Sequence, residues 1–441
     1  MGNNKDFAKN IIMTLGRQVT AILLGLLSSI IIARWLGSTG NGQYNLIILV
    51  PTMLFSFLNL GIGTSSVYFV GKNNYNASTV YKTNTIVGLL IGIAALIIGF
   101  IYLNYFGADF TEGVPLHLFY LALLFVPLLV LNEFYLVLFQ AKNDFASYNT
   151  ISLLRQISAL LFLIIGLMFF KWGLIGAVVS FIFSLVIQYI LSMYFFKKRL
   201  KLSFKQGSFS VGYFKESLRY GYKAHFSNIL SFINYRADIF LIGMFLNPQA
   251  VGIYGVAVGI AEKLWVVSQA ISTVLFPKVA SINDDSEKNR LTSYIARNIL
   301  VFSLFTGLVF YLAGKFIIVL MYGKEYVESA YVLYFLLPGI IFFSVDRILS
   351  NDLAGRGMPE LNMYTSLFTV ISNIVLNIIL IPKYGIAGSA FSTSLTYTLC
   401  TMIKIIIFKR VTGTKYKDIL FISKADIIGA KNMIKRVGGR G

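Results

Sequence analysis

The sequence predicts an all-α integral membrane protein: twelve transmembrane helices in two pseudo-symmetric six-helix lobes with a central cavity. Three observations predict it. Of 441 residues, 57% are hydrophobic and 13% charged, a balance soluble domains do not sustain. The apolar residues gather in runs of about 20, the length that crosses a hydrocarbon core of roughly 30 Å as a helix. Finally, the phrase KWGLIGAV at Lys171 returns as KYGIAGSA at Lys383.

The runs place helices over 11–36, 44–70, 81–105, 116–140, 149–171 and 174–196, then 216–246, 251–280, 292–322, 328–354, 362–384 and 386–410. None alternates polar with apolar residues as a barrel strand must; TIVGLLIGIAALIIGFIYL in the third is unbroken. The first run has a basic flank, but it is too long for a signal-peptide core and lacks a small-x-small cleavage site, so it reads as a retained helix. The first lobe thus covers 1–196, and Lys197, Lys198, Arg199, Lys201, Lys205 and Lys215 make 197–215 a basic cytoplasmic linker. The second lobe covers 216–410, and 411–441 is a basic amphipathic tail suited to anionic headgroups rather than to a thirteenth span.

Lysine and arginine collect at alternate helix ends: Lys72 and Lys82, Lys142, the linker, then Lys278, Lys288 and Arg290, Arg356 and the tail. The opposite loops YFGADFTEGVP and LNPQA have neither. The positive-inside rule then puts both termini in the cytoplasm. This asymmetry explains much of the net charge of +20, so no nucleic-acid partner is needed. A single cysteine, Cys400, excludes an internal disulfide, and His117 and His225 are too few for a His/Cys metal centre. No loop carries a phosphate-binding glycine pattern, and no cofactor is expected beyond a coupling H⁺ or Na⁺.

The echo at Lys171 and Lys383 is one of three. LGSTGNGQY at 36–44 matches LNPQAVGIY at 246–254, and AKNDF around Lys142 matches GRGMP around Arg356, giving shifts of 212, 210 and 214 positions. Ordered landmarks at a nearly constant shift indicate a duplicated six-helix unit, and because six is even both copies share one orientation. Pro127 and Pro338 repeat too, each about 10 residues into the fourth and tenth helices, near the midplane. Each is either a packed kink or a hinge whose freed carbonyl lines the cavity. The spacings Gly88 to Gly92 and Gly255 to Gly259 fit close helix packing.

Arg17, Arg34, Arg297, Lys315 and Lys404 sit near span ends, where a basic side chain snorkels to the headgroups; Arg17 is also placed to face an inward-open cavity. Arg236, Asp238, Glu262 and Lys263 lie roughly 15–18 Å deep, where charge is paired or faces water. Counting from the turn between them sets Arg236 level with Glu262. Arg236 and Asp238 lie about 200° apart around their helix, so one of them faces the cavity. Two readings stand: the four charges clamp the hairpin, or the basic members bind an anion while Asp238 or Glu262 exchanges the coupling ion. Glu133, Asp346 and Arg347 lie about a third of the way in from the Lys-rich side, the 214 shift matching Glu133 with Arg347 as an inner gate. Arg155, at similar depth, suits a phosphate held by two parallel hydrogen bonds.

In ARWLGSTGNGQYNLI, FINYRADIFLIGMFLNPQAVGIYGVAVGIAEKLW, STVLFPKVA, AGRGMPELN and NIVLNIILIPKYGIAGSAFSTSLTY, spread over nearly the whole chain, the sequence resembles the Wzx-like oligosaccharide and polysaccharide flippases, in the superfamily that also holds MATE-type multidrug antiporters. The resemblance implies a carrier, not an enzyme. It would move undecaprenyl-diphosphate-linked oligosaccharide repeat units from the inner to the outer leaflet of a bacterial plasma membrane by alternating access, for cell-surface polysaccharide biosynthesis. The implied partners are the lipid-linked oligosaccharide, membrane lipids and a polysaccharide polymerase. The lipid II flippases of the superfamily look like fourteen-helix relatives, and twelve helices argue against that branch. The resemblance fixes no contact residue. A MATE-like cation-coupled multidrug antiporter would need a cavity dominated by carboxylates, whereas the inner set here includes Arg155 and Arg347. A membrane glycosyltransferase would need a large extramembrane loop with catalytic acids, yet the longest cytoplasmic loop has Glu216 as its lone carboxylate.

Overall fold

The computed structural model describes residues 2–105 and 107–421, so the tail expected over 411–441 lies outside the described residues from 422 onward. The chain runs through α1 (Gly2–Leu58), α2 (Ile62–Gly71), α3 (Ala77–Tyr105), α4 (Ala108–Thr111), α5 (Leu116–Leu123), α6 (Val126–Ala141), α7 (Phe145–Ile164), α8 (Gly173–Phe195), α9 (Val211–Phe245), α10 (Pro248–Ala261), α11 (Trp265–Ser281), α12 (Asp285–Tyr322), α13 (Val327–Gly355), α14 (Pro359–Thr412) and α15 (Tyr416–Leu420). Among the described residues nine segments are long and apolar enough to cross a bilayer. The protein is therefore a multi-pass integral membrane protein. It divides into two compact units, Met1–Gly252 and Ile253–Gly441.

Several expected boundaries move, each for a backbone reason. Within α1 only Gly37 leaves helical geometry, at φ 68°, and within α14 only Gly385, at φ 59°; glycine enters that region without the Cβ clash that stops other residues. The loop expected between 36 and 44 is thus reduced to a single glycine. The helix expected over 44–70 is instead broken inside, at Leu60 and Gly61 (φ 55° and 69°), where the Gly61 N–H donates to Asn59 Oδ1 at 3.0 Å. The helix expected over 116–140 divides into α5 and α6, with Pro127 in the first turn of α6, where its missing N–H costs no helical bond. A Cβ on Gly92 would lie 2.5 Å from Pro127 Cα, so α3 and α6 meet backbone to backbone at this proline. Pro338 stays inside α13, and the next N–H, of Gly339, donates sideways to Ser394 Oγ at 2.9 Å. The expected close packing at Gly259 is not found, because a Cβ there would meet nothing within 4 Å.

Two of the three repeated phrases have the same backbone turn in both copies, whereas Gly37 at φ 68° has no positive-φ counterpart at Asn247. The N–H groups of Lys142 and Asp144 return to the carbonyls of Leu138 and Phe139 at 3.1 and 2.8 Å, and those of Arg356 and Met358 to Asp352 and Leu353 at 2.9 and 2.9 Å. Between them Asn143 and Gly357 take φ of 58° and 82°. Every member of this turn recurs at the 214 shift. Gly173 and Gly385 likewise both sit at φ 59°.

Each unit has its own core. In the first, Tyr81, Tyr135, Phe139 and Phe196 form a buried aromatic cluster, with Phe139 stacked on Phe196 at 4.9 Å. In the second, Val345, Ile348 and Leu349 of α13 pack with Phe408 of α14 and Ile419 of α15. Outward-facing Ile93, Ile97, Phe100 and Ile101 on α3 are exposed, a stripe at helical spacing that lipid covers. Arg297 is not a snorkelling anchor: it is buried and donates to the Asp418 carbonyl of α15 at 2.8 Å.

Candidate functional site

In the first unit α1, α6 and α7 assemble a charged cluster. The Asp144 carboxylate caps α7 by accepting the Ser147 N–H at 3.1 Å. From that start Tyr148 and Arg155 are seven residues apart, two turns, and share a face at about 10 Å separation along the axis. Arg17 of α1 lays its guanidinium over the Tyr148 ring, 5.4 Å from the centroid. Glu133 of α6 and Tyr44 of α1 both lie within electrostatic reach of Arg155, and Glu133 also acts on Tyr148. Arg17 and Arg155 are half-buried and Glu133 is exposed.

These groups hold unspent bonding capacity. Among the described residues neither the Arg155 guanidinium nor the Glu133 carboxylate makes a hydrogen bond or ion pair, and Arg17 Nε is buried with no acceptor. A buried donor left unmade is costly, more so when charged, so an anion arriving here gains bonds that the resting protein lacks. Tyr44 and Tyr148 were not singled out from the sequence; the seven-residue step from Arg155 was the available signal for Tyr148.

The second unit treats its charges differently. Asp346 and Lys404 pair at 3.3 Å with side chains 6% and 2% exposed. Lys404 also donates to Ser350 Oγ at 2.7 Å and Asn362 Oδ1 at 3.2 Å, which uses all three ammonium donors. Ser350 Oγ and the Cys400 thiol donate back to Asp346 at 3.1 and 3.5 Å. Lys404 was expected to snorkel from a span end; its ammonium is instead turned inward and buried against Asp346. The next residue along α13, Arg347, turns the other way and is half-buried. Its guanidinium lies over Trp265 at 4.4 Å and Phe343 at 5.9 Å and donates to Gln269 Oε1.

Glu262 and Lys263 form a tight 3₁₀ step, Glu262–Leu264, between α10 and α11, with Glu262 half-buried and Lys263 exposed. Asp238 is buried and accepts the Ile239 N–H at 2.8 Å, while Arg236 is half-buried and donates to the Tyr235 carbonyl at 3.2 Å. Arg236 and Glu262 belong to different units. Among the described residues no group of three or more His, Cys, Asp or Glu could hold a metal ion.

A family model described as polysaccharide biosynthesis protein matches residues 31–331. A probable low-salt glycan biosynthesis flippase of Haloferax volcanii is 27% identical over 227 residues, which span 50% of this chain and 47% of that one. A putative O-antigen transporter of Shigella flexneri is 22% identical over 405 residues, 89% of this chain and 95% of the relative. Among solved structures, a lipid II flippase in its inward closed conformation superimposes with a TM-score of 0.76 at 19% identity, covering 95% of this chain and 91% of that one. That likeness shows the fold.

Proposed function

This chain belongs to the polysaccharide biosynthesis protein family, and we propose that it is a flippase carrying an undecaprenyl-diphosphate-linked oligosaccharide from the cytoplasmic to the outer leaflet of a bacterial plasma membrane. The observation that carries this reading is the pair of guanidinium groups with open donors, Arg17 and Arg155, held on membrane-spanning helices of the first unit. A diphosphate is compact and doubly charged, and it cannot cross hydrocarbon bare. Guanidinium forks match its oxygens two at a time, while the prenyl tail stays in lipid.

The breaks at Gly37 and Gly385 support reading α1 and α14 as two crossings each, and α9, with Arg219, Lys223 and Arg236 on it, as a crossing too polar to be recognised by apolarity. These features support twelve crossings, and in this reading they form two like-oriented lobes, 1–196 and 216–410, with both termini cytoplasmic. Arg236, Lys263 and Arg347 are then further contacts for the anionic substrate. Asp238 or Glu262 exchanges the coupling ion, and Glu133 and Asp346 belong to the inner gate. The exported unit is handed to a polymerase.

The test uses the full chain in proteoliposomes with a fluorescent lipid-linked oligosaccharide. Arg17→Ala and Arg155→Ala are each expected to lower the flipping rate about 10-fold or more, the loss of one charge-assisted contact, with protein content of the vesicles unchanged. Normal rates in both variants overturn the reading.

A further inference from the structure

A second recess in the first unit is free of these charges. It has a volume of about 430 Å³ and is lined by Thr64, Val67 and Tyr68 of α2, Val137 and Gln140 of α6 and Tyr220 of α9, a size within the usual range of small-molecule sites. Tyr68 and Tyr220 stack at 4.3 Å with 21° between their planes. The platform is held from behind: Lys72 Nζ donates to Tyr68 Oη at 3.0 Å and sits 4.6 Å over its ring. Phe69 lies edge-on to both tyrosines at 5.2 and 5.7 Å. Two further hydrogen bonds lock α2 to α9, Ser65 Oγ donating to the Ser217 carbonyl at 2.8 Å and Ser66 Oγ meeting Tyr213 Oη at 2.9 Å. Tyr220 is nevertheless 43% exposed. Among the described residues the Thr64 and Gln140 side chains make no hydrogen bond within the protein.

We propose that this recess binds a sugar ring of the glycan, a subsite separate from the Arg17 and Arg155 cluster and resting on the flippase reading above. A pyranose has a face of C–H bonds and a rim of hydroxyls. The C–H face suits the electron-rich tyrosine surface, and the rim suits an unspent amide and hydroxyl, each able to donate and accept. No guanidinium or carboxylate lines the recess, which disfavours phosphate. A hydrocarbon tail would leave Gln140 and Thr64 buried with nothing to bond.

The experiment measures binding to the full chain in nanodiscs of two probes: the lipid-linked oligosaccharide extracted from the cells that make this protein, and glycan-free polyprenyl diphosphate. Tyr220→Ala and Gln140→Leu are each expected to weaken the glycan-bearing lipid about 10-fold and to leave the bare lipid unchanged, with Tyr220→Phe near the parent value. Gln140→Leu lies outside the aromatic stack, so it reads the subsite even where Tyr220→Ala disturbs folding. Equal losses for both lipids, as a tail-binding cleft or a structural role would give, overturn the subsite, as does no loss for either. A parent protein that binds neither lipid overturns the flippase reading itself, and with it the subsite, before any variant is compared.

Discussion

Lys404 and Asp346 form a salt bridge at 3.3 Å with both side chains enclosed by the protein. Removing one partner of such a pair strands the other without solvent or counter-ion, which typically costs about 3–5 kcal/mol. Lys404→Met is therefore expected to lower thermal stability in detergent by about that amount. Adding Asp346→Asn should recover most of it, and a double variant as unstable as the single one would show that the pair is not the cause. The sequence disclosed these charges but not their partnership. No local pattern reveals that Ser350 and Asn362 converge on Lys404, or Cys400 on Asp346, because the partners lie far apart in sequence. Arg155 was legible because a charge in an apolar run needs an explanation wherever it points. Its neighbour Tyr148 was not, since tyrosine is common in such runs.

The helices themselves were legible, and their joints were only partly so. Periods of apolar residues announce a span, whereas a single glycine that turns the chain looks like any other glycine. What separates Gly385 from Gly259 is backbone conformation. Gly385 sits at φ 59°, so Gly385→Ala is expected to cost about 1–2 kcal/mol, read as a lower melting temperature. Gly259 sits in α10 with open space where a Cβ would go, and Gly259→Ala should stabilise by about 0.5–1 kcal/mol through helix propensity. The α2–α9 contact is tighter still: a Cβ on Gly61 would lie 2.2 Å from the Gly221 carbonyl oxygen. Gly221→Val should wedge these helices apart and lower the yield of folded protein in the membrane.

For the molecule as a whole, two of the three repeated phrases coincide with positions of constrained backbone: Asn143 with Gly357, and Gly173 with Gly385. Like-oriented copies make a sidedness prediction. Single cysteines at Lys171 and Lys383 should both react with a membrane-impermeant maleimide added outside whole cells, and cysteines at Lys142 and Arg356 should both be protected. The native thiol is buried and should not interfere. Labelling of 171 and 383 from opposite sides would remove the parallel duplication.

The bond from Arg297 to the Asp418 carbonyl, with Ile419 fully enclosed beside it, has a bearing on biogenesis. The guanidinium is inserted with α12 long before translation reaches its acceptor, so the second bundle stays chemically incomplete until the ribosome has added residues 416–420. A product of premature termination would lack both this bond and the enclosed Ile419 side chain.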